Sequence, residues 1–303
     1  VDASYMITTG GSFSARIPHL KASTAYVCRA YSGTSISTEK TFTTTAAIEL
    51  PNASFDYWSM DGKVANPWEE NSTPFWDTGN IGVTTASQSN STPTDDTATG
   101  SGKAARLESK NVIVKFAAGN LFTGKFDFVG AELSGYARFG QVYAFEARPR
   151  ALRLRYKATV NPIGEEGLGL KPGASATDID EGRIFVCITD WSERHSVCSG
   201  LILSGIQQEQ GTDAMIEKMN PFDPVTDADP AEGKVIAYGS YNITQSTTGW
   251  VDCEIKLMYK DTEARPADGR YSLVISCASS AFGDYLCGNM GNELYVDDFQ
   301  WVY

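Results

Sequence analysis

Two strand-like segments carry the charged side chains best placed to do chemistry. In KAARLESK, residues 103–110, strand alternation puts Ala105, Leu107 and Ser109 on one side and Arg106, Glu108 and Lys110 on the other. In ALRLRYKATV, residues 151–160, Leu152, Leu154, Tyr156 and Ala158 form the apolar side, while Arg153, Arg155 and Lys157 share the polar one. Long cations and a carboxylate on one sheet face can hydrogen-bond sugar hydroxyls, or can form a solvated outer face laced with weak ion pairs. The segment FWDTGN, residues 75–80, sets Trp76 beside Asp77 and Asn80. That is an aromatic platform flanked by hydrogen-bonding groups, unless Trp76 belongs to the core. Between strands, AAGNLFTG, residues 117–124, adds Asn120 and Phe122 at what reads as a turn. Arg106, Glu108, Lys157, Trp76, Asn80, Asn120 and Phe122 are the candidate site residues these segments supply. Arg148 either orients an adjoining loop or serves as an ion-pair partner.

Hydrolysis would ask for more. A glycosidase needs two carboxyl groups, ~5–5.5 Å apart for retention of configuration or ~6.5–9.5 Å for inversion. The carboxylates that could face a cleft are Glu108, Glu146, Asp190 and Glu193, and no E-x-D-x-x-E or E-x-D-x-E strand occurs. Glu108 lies between two cations on its own face, which favours its ionised form, the wrong state for a general acid. Neither His19 nor His195 has a triad setting, and there is no G-x-S-x-G. The six Cys form no metal-ligand spacing. Cys28, Cys187, Cys253 and Cys277 sit in apolar runs and read as small buried hydrophobes, with Cys187 and Cys198 the only pair suggesting a hairpin staple. Binding is expected ahead of catalysis, with a glycoside hydrolase of atypical carboxylates second and a structural or adhesive envelope protein third.

The elements that must hold these groups are strands. Alternating or β-branched runs of five to nine residues recur, separated by Gly, Asn, Asp, Ser and Pro clusters. Only Asp213–Met219 could make helix, two turns at most. Long loops are expected at 87–102, 161–182 and 220–233. In the closing GNELYVDDFQWVY, Tyr295, Asp297, Phe299 and Trp301 share one parity, which sets Asp297 among aromatics. A buried carboxylate there needs either a cation or hydrogen-bond donors.

Composition bounds the rest. The chain of 303 residues has a net charge of −12, which argues against a nucleic-acid partner and against a peripheral grip on anionic lipid. No apolar run is long enough to span a membrane. Aromatic residues at 11% suit both a sugar-binding surface and an all-β core. The chain lacks an initiator Met and a signal peptide and opens as if within a domain, so an upstream domain of the same chain is expected.

Residues 1–46 have their own grammar. Leu20, Thr24, Tyr26 and Ala30 resemble the corner and sixth strand of an immunoglobulin-like or fibronectin type III domain, and Thr38–Thr44 resembles its last strand. About half of such a domain is present. After a joint at 46–52, the pieces PNASFDYW, WDTGN, GSGKAARLESK, KFAAGNLFTGKF, the FG at 139–140, the RP at 148–149, the YK at 156–157 and GNELYVDDFQWVY together resemble the putative carbohydrate metabolism domain family of Bacteroidetes. The resemblance covers residues 50–303. It implies a jelly-roll β-sandwich following an immunoglobulin-like domain, a carbohydrate partner, and a secreted protein of the periplasm or outer-membrane surface. Its most specific motifs fall on the candidate residues, so that with strand parity Arg106, Glu108, Lys157, Trp76, Asn80, Asn120 and Phe122 are expected to line one glycan pocket. The closing YVDDF also resembles that of galactose-binding-like modules, which implies a structural Ca²⁺ near Asp56 and Asp297. No other cofactor is expected.

Overall fold

The computed structural model describes residues 6–15, 17, 20, 23–44, 46, 48–112, 115–129, 134–145, 148–199, 221–261 and 270–303. Two antiparallel sheets pack face to face as a jelly-roll β-sandwich. The five-stranded sheet runs in the order Ser91–Thr94, Ala104–Glu108, Glu293–Val302, Ala151–Thr159, Val251–Lys256. The path of the nine-stranded sheet is His195–Cys198, Gly135–Phe139, Asn120–Val129, Tyr271–Ala278, Gly182–Thr189, Val235–Ile243, Met258–Tyr259. Off that path, Gln141–Tyr143 pairs with Tyr271–Ala278, and Trp76–Asp77 pairs with Asn120–Val129. Among the described residues, helix is confined to Asn80–Val83 and two single 3₁₀ turns. The expected turns at Asp213–Met219 lie outside the described residues.

Alternation builds the core. Ala105, Leu107, Leu152, Leu154, Tyr156 and Ala158 point inward from one sheet. They meet Leu121, Ile184, Val186, Leu273, Ile275 and Cys277 from the other. Leu107, Leu154 and Leu273 are fully buried, and truncating any of them to Ala would cost roughly 2–5 kcal/mol. Leu50 already belongs to this core, so the sandwich begins by that residue.

The closing strand departs from simple parity. Arg153 pairs with Gln300 but Arg155 pairs with Asp297, so Asp298 and Phe299 together face the single residue Leu154. Asp298 takes the left-handed conformation at φ +55°, and the extra residue is a β-bulge. Leu294, Val296, Phe299 and Trp301 therefore all face the core, while Tyr295 and Asp297 do not share the face of Phe299 and Trp301. The expectation that Asp297 stands among aromatics is corrected by this bulge. Asp297 is nonetheless buried, because the 95–103 loop covers it: its carboxylate accepts from the Ala98 N–H at 2.8 Å and its neighbour's Asp298 N–H at 2.7 Å.

Residues 6–43 form three hairpins that, among the described residues, pair only with one another. Ala25–Cys28 pairs with Lys40–Thr43, setting side by side the two segments read as adjacent strands. Ile7, Val27, Tyr31 and Ile36 on these hairpins are exposed. The staple between Cys187 and Cys198 is not formed. Cys187 and Cys198 lie four strands apart in one sheet.

Candidate functional site

The nine-stranded sheet has two apolar faces. Residues alternating with its core-facing set point away from the five-stranded sheet, and there they line a groove of about 250 Å³. Asn120 and Phe122 flank Leu121; Arg183 and Phe185 alternate with Ile184 and Val186; Ser276 and Ala278 flank Cys277. Register arranges them in two cross-strand rows. Asn120, Ala278 and Arg183 form one row, and Phe122, Ser276 and Phe185 form the next. Phe139 leans on Phe122 with centroids 5.1 Å apart, so three phenyl rings gather at one end. Beyond them a second apolar cluster, with Trp191, Val197 and Phe222, covers the rest of this face.

Three segments wall the groove: the turn at 79–85, the segment 116–118 and the segment 280–286. Hydrogen bonds hold the first and third, and the second packs closely against the third. The Gly79 N–H donates to Asn120 Oδ1 at 2.7 Å, and a Cβ at Gly79 would press on Asn120 Nδ2 at 3.0 Å. Gly283 lies so close to Ala118 that a Cβ would come within 2.7 Å of it. Asp180, with no exposed surface, accepts from Ser280 Oγ at 2.6 Å, the Asn289 N–H at 2.7 Å and Asn292 Nδ2 at 2.9 Å. It thereby pins both ends of the 280–289 wall. Burial pushes the Asp180 carboxyl up to about 7, against the pull of the Ser280 and Asn289 bonds.

Few polar groups are left for a ligand. Arg183 gives Nη2 to Asp223 at 2.7 Å and Nε to Ser240 at 3.2 Å, and its Nη1 has no protein partner among the described residues. Asn120 Nδ2 makes only a long contact of 3.5 Å to the Ala118 carbonyl. Asp284 is exposed on the wall and forms no ion pair among the described residues. Crowding by neighbouring atoms pushes its carboxyl up while the Arg183 charge draws it down.

The outer face of the five-stranded sheet carries a separate charged cluster. Arg106 bridges Glu293 and Glu108, the latter at 3.4 Å, and Lys110 reaches Glu108 at 3.3 Å. Lys157 lies 4.1 Å over the Tyr295 ring and pairs with Asp96. Trp250 Nε1 donates to the same Asp96 at 2.9 Å. Every charge here already has a protein partner.

The expected single pocket is therefore corrected. Arg106, Glu108 and Lys157 do share a face, but Asn120 and Phe122 open onto the groove across the sandwich. Phe122 belongs to a strand and not to a turn. Trp76 is fully buried, its Nε1 bonded to the Pro51 carbonyl and its ring packed edge-on against Phe55 and Phe299. Asn80 is equally buried. Its amide donates to the Ala65 and Ser91 carbonyls and accepts from the Asn90 and Ser91 N–H groups, so nothing remains for a ligand. Arg148 lies over Tyr259 and reaches the Asp261 carbonyl at 3.4 Å, at neither site.

Of the carboxylates considered for catalysis, Asp190 caps the Lys234 N–H at 2.6 Å, Glu193 is exposed, and neither lines the groove. Glu146 lies outside the described residues. Asp56 accepts from the Lys103 N–H at 2.7 Å and from Ser54 Oγ at 2.7 Å. Among the described residues no three His, Cys, Asp or Glu side chains gather as a metal site, and no helix is long and apolar enough to cross a membrane.

Sequence reasoning missed Arg183, Phe185, Asp284 and Glu293, and took Phe139 only as part of the FG pair that carries the resemblance, not as a site residue. Within GRIFVCIT, 182–189, the residues IFVCI at 184–188 read as an unbroken apolar run, the mark of a strand covered on both faces. That signal could have directed attention to its outward Arg183 and Phe185.

A family model described as a putative carbohydrate metabolism domain matches residues 51–302. No curated protein matches the chain. Among solved structures, a putative glycoside hydrolase from Bacteroides thetaiotaomicron is 18% identical with a TM-score of 0.58, over 88% of this chain and 75% of that one. A putative glycoside hydrolase from Bacteroides vulgatus is 19% identical with a TM-score of 0.53, over 84% of this chain and 94% of that one. At these identities the likeness is one of fold.

Proposed function

The chain belongs to the putative carbohydrate metabolism domain family, and from that premise we propose that it is a carbohydrate-binding module whose ligand lies in the groove of the nine-stranded sheet. One observation carries the reading. The segments 76–80 and 115–126, two of those that carry the family resemblance, supply the groove's Gly79, Phe116 and Asn120. The chemistry supports it, since phenyl faces pack against the C–H face of a sugar ring while a few convergent polar groups set its orientation. The Arg106 cluster on the opposite face has its charges mutually satisfied and fits a structural role. A glycan array followed by calorimetry tests the reading. Phe139→Ala should abolish binding and Arg106→Ala should leave it intact; the reverse pattern, or no glycan bound, overturns it.

A hydrolytic role would fall to Glu108 and Glu293, which face each other across paired strands. A glycosidase of this type needs one carboxyl that holds a proton, and Arg106 reaches both of these. Binding is the better-supported reading. We take the protein to be a secreted or envelope protein, and residues 1–46 to be the back half of an immunoglobulin-like domain. The exposed apolar side chains of their hairpins support the latter. A structural Ca²⁺ held at Asp56 and Asp297 belongs to the same proposal, and calorimetry with Ca²⁺ on the metal-stripped protein tests it.

A further inference from the structure

The groove is too apolar for a fully hydroxylated sugar. Its lining contains six Phe and neither Trp nor Tyr, so its aromatic walls offer no hydrogen bond. Several of its hydroxyls are already spent: Thr85 Oγ1 donates to the Gly82 carbonyl, Ser280 Oγ to Asp180, and Ser199 Oγ accepts from the Gly135 N–H. What remains is sorted by register. Asn120 and Arg183 share one row, with Asp284 near enough to feel the Arg183 charge. Phe122 and Phe185 share the next, beside Phe139. One end of the groove can satisfy hydroxyls and the other can satisfy only carbon.

Charge narrows the ligand further. Asp223 already neutralises Arg183, the one cationic side chain that lines the groove among the described residues. The groove thus holds no free cation to receive a carboxylate or sulfate, whose water would be lost without replacement. A hydroxyl pressed against the phenyl end would lose its water without gaining a partner.

Resting on the glycan reading above, we propose that the groove selects neutral sugars bearing an apolar substituent, either a deoxy methyl or an acetyl group. The hydroxyls meet Asn120, Arg183 and Asp284. The substituent enters among Phe122, Phe139 and Phe185. Sugars that are fully hydroxylated bind more weakly, and uronates are excluded.

Matched pairs test this on the full chain by calorimetry: methyl galactoside against methyl 6-deoxygalactoside, methyl glucoside against methyl N-acetylglucosaminide, and methyl galacturonide as the acid. In at least one pair the substituted sugar should bind about tenfold tighter or more than its parent, the scale on which one apolar group is discriminated in an apolar pocket, and the uronide should not bind. Phe139→Leu should shrink that ratio. Asp284→Asn, which leaves the phenyl end untouched, should keep the ratio. Equal binding within both pairs, or preferred binding of the uronide, would overturn the selectivity and leave the glycan reading standing. If no sugar binds, both fall.

Discussion

Glu108 and Glu293 stand directly opposite one another on paired antiparallel strands, and the Arg106 guanidinium reaches both carboxylates. Like charges in that position repel. The cation, with Lys110 beyond Glu108 and the Tyr295 hydroxyl on Glu293 at 3.0 Å, turns a repulsive pair into a closed network. This relationship explains why the most chemically suggestive face in the sequence is the less promising site in the fold.

Arg106→Ala should therefore destabilise the sandwich by about 1 kcal/mol, as expected for a partly exposed network. The repulsion it uncovers is screened by salt. Urea unfolding at low salt and at about 1 M salt checks both points, with the smaller loss expected at high salt.

Asp180 makes stability depend on pH. Its folded carboxyl titrates at about 7 against 3.8 for the ordinary group, so between these values the folded state holds a proton that the unfolded state has released. Its contribution is complete below about pH 4 and is lost as pH rises through 7. Asp180→Asn, which stays neutral throughout, should gain stability relative to the wild type as pH goes from 4 to 8. Melting temperatures of the pair across that range measure it, and a parallel pair of curves would count against the assignment.

Asp297→Ala should cost about 1–3 kcal/mol, because it leaves the part-buried N–H groups of Ala98 and Asp298 without acceptors. Hydrogen exchange at Ala98 should quicken more than exchange in the Ala104–Glu108 strand, since the carboxylate ties down the 95–103 loop.

Much of the fold was legible in the residues. The parities of KAARLESK and ALRLRYKATV set Leu107 and Leu154 in the core and Arg106 and Lys157 outside, because both segments are regular strands covered on one face. Parity failed at Asp298, where a bulge inverted the closing strand and no local composition marked it. The site was harder. Trp76 and Asn80 look like ligand groups in isolation. What buries them is contact with Pro51, Phe299, Ala65 and Ser91, which only tertiary pairing supplies. Local alternation also cannot say which of two sheets a strand joins. Asn120 and Arg106 could thus be set in one pocket on paper while the fold holds them on opposite faces.

Amide chemical-shift mapping with the strongest binder from a glycan array tests the central claim most directly. The account predicts perturbations at Asn120, Phe139, Arg183 and Ser276, with Arg106, Lys157 and Tyr295 unmoved. Shifts centred on Arg106, Lys157 and Tyr295, or none in the groove, would contradict it.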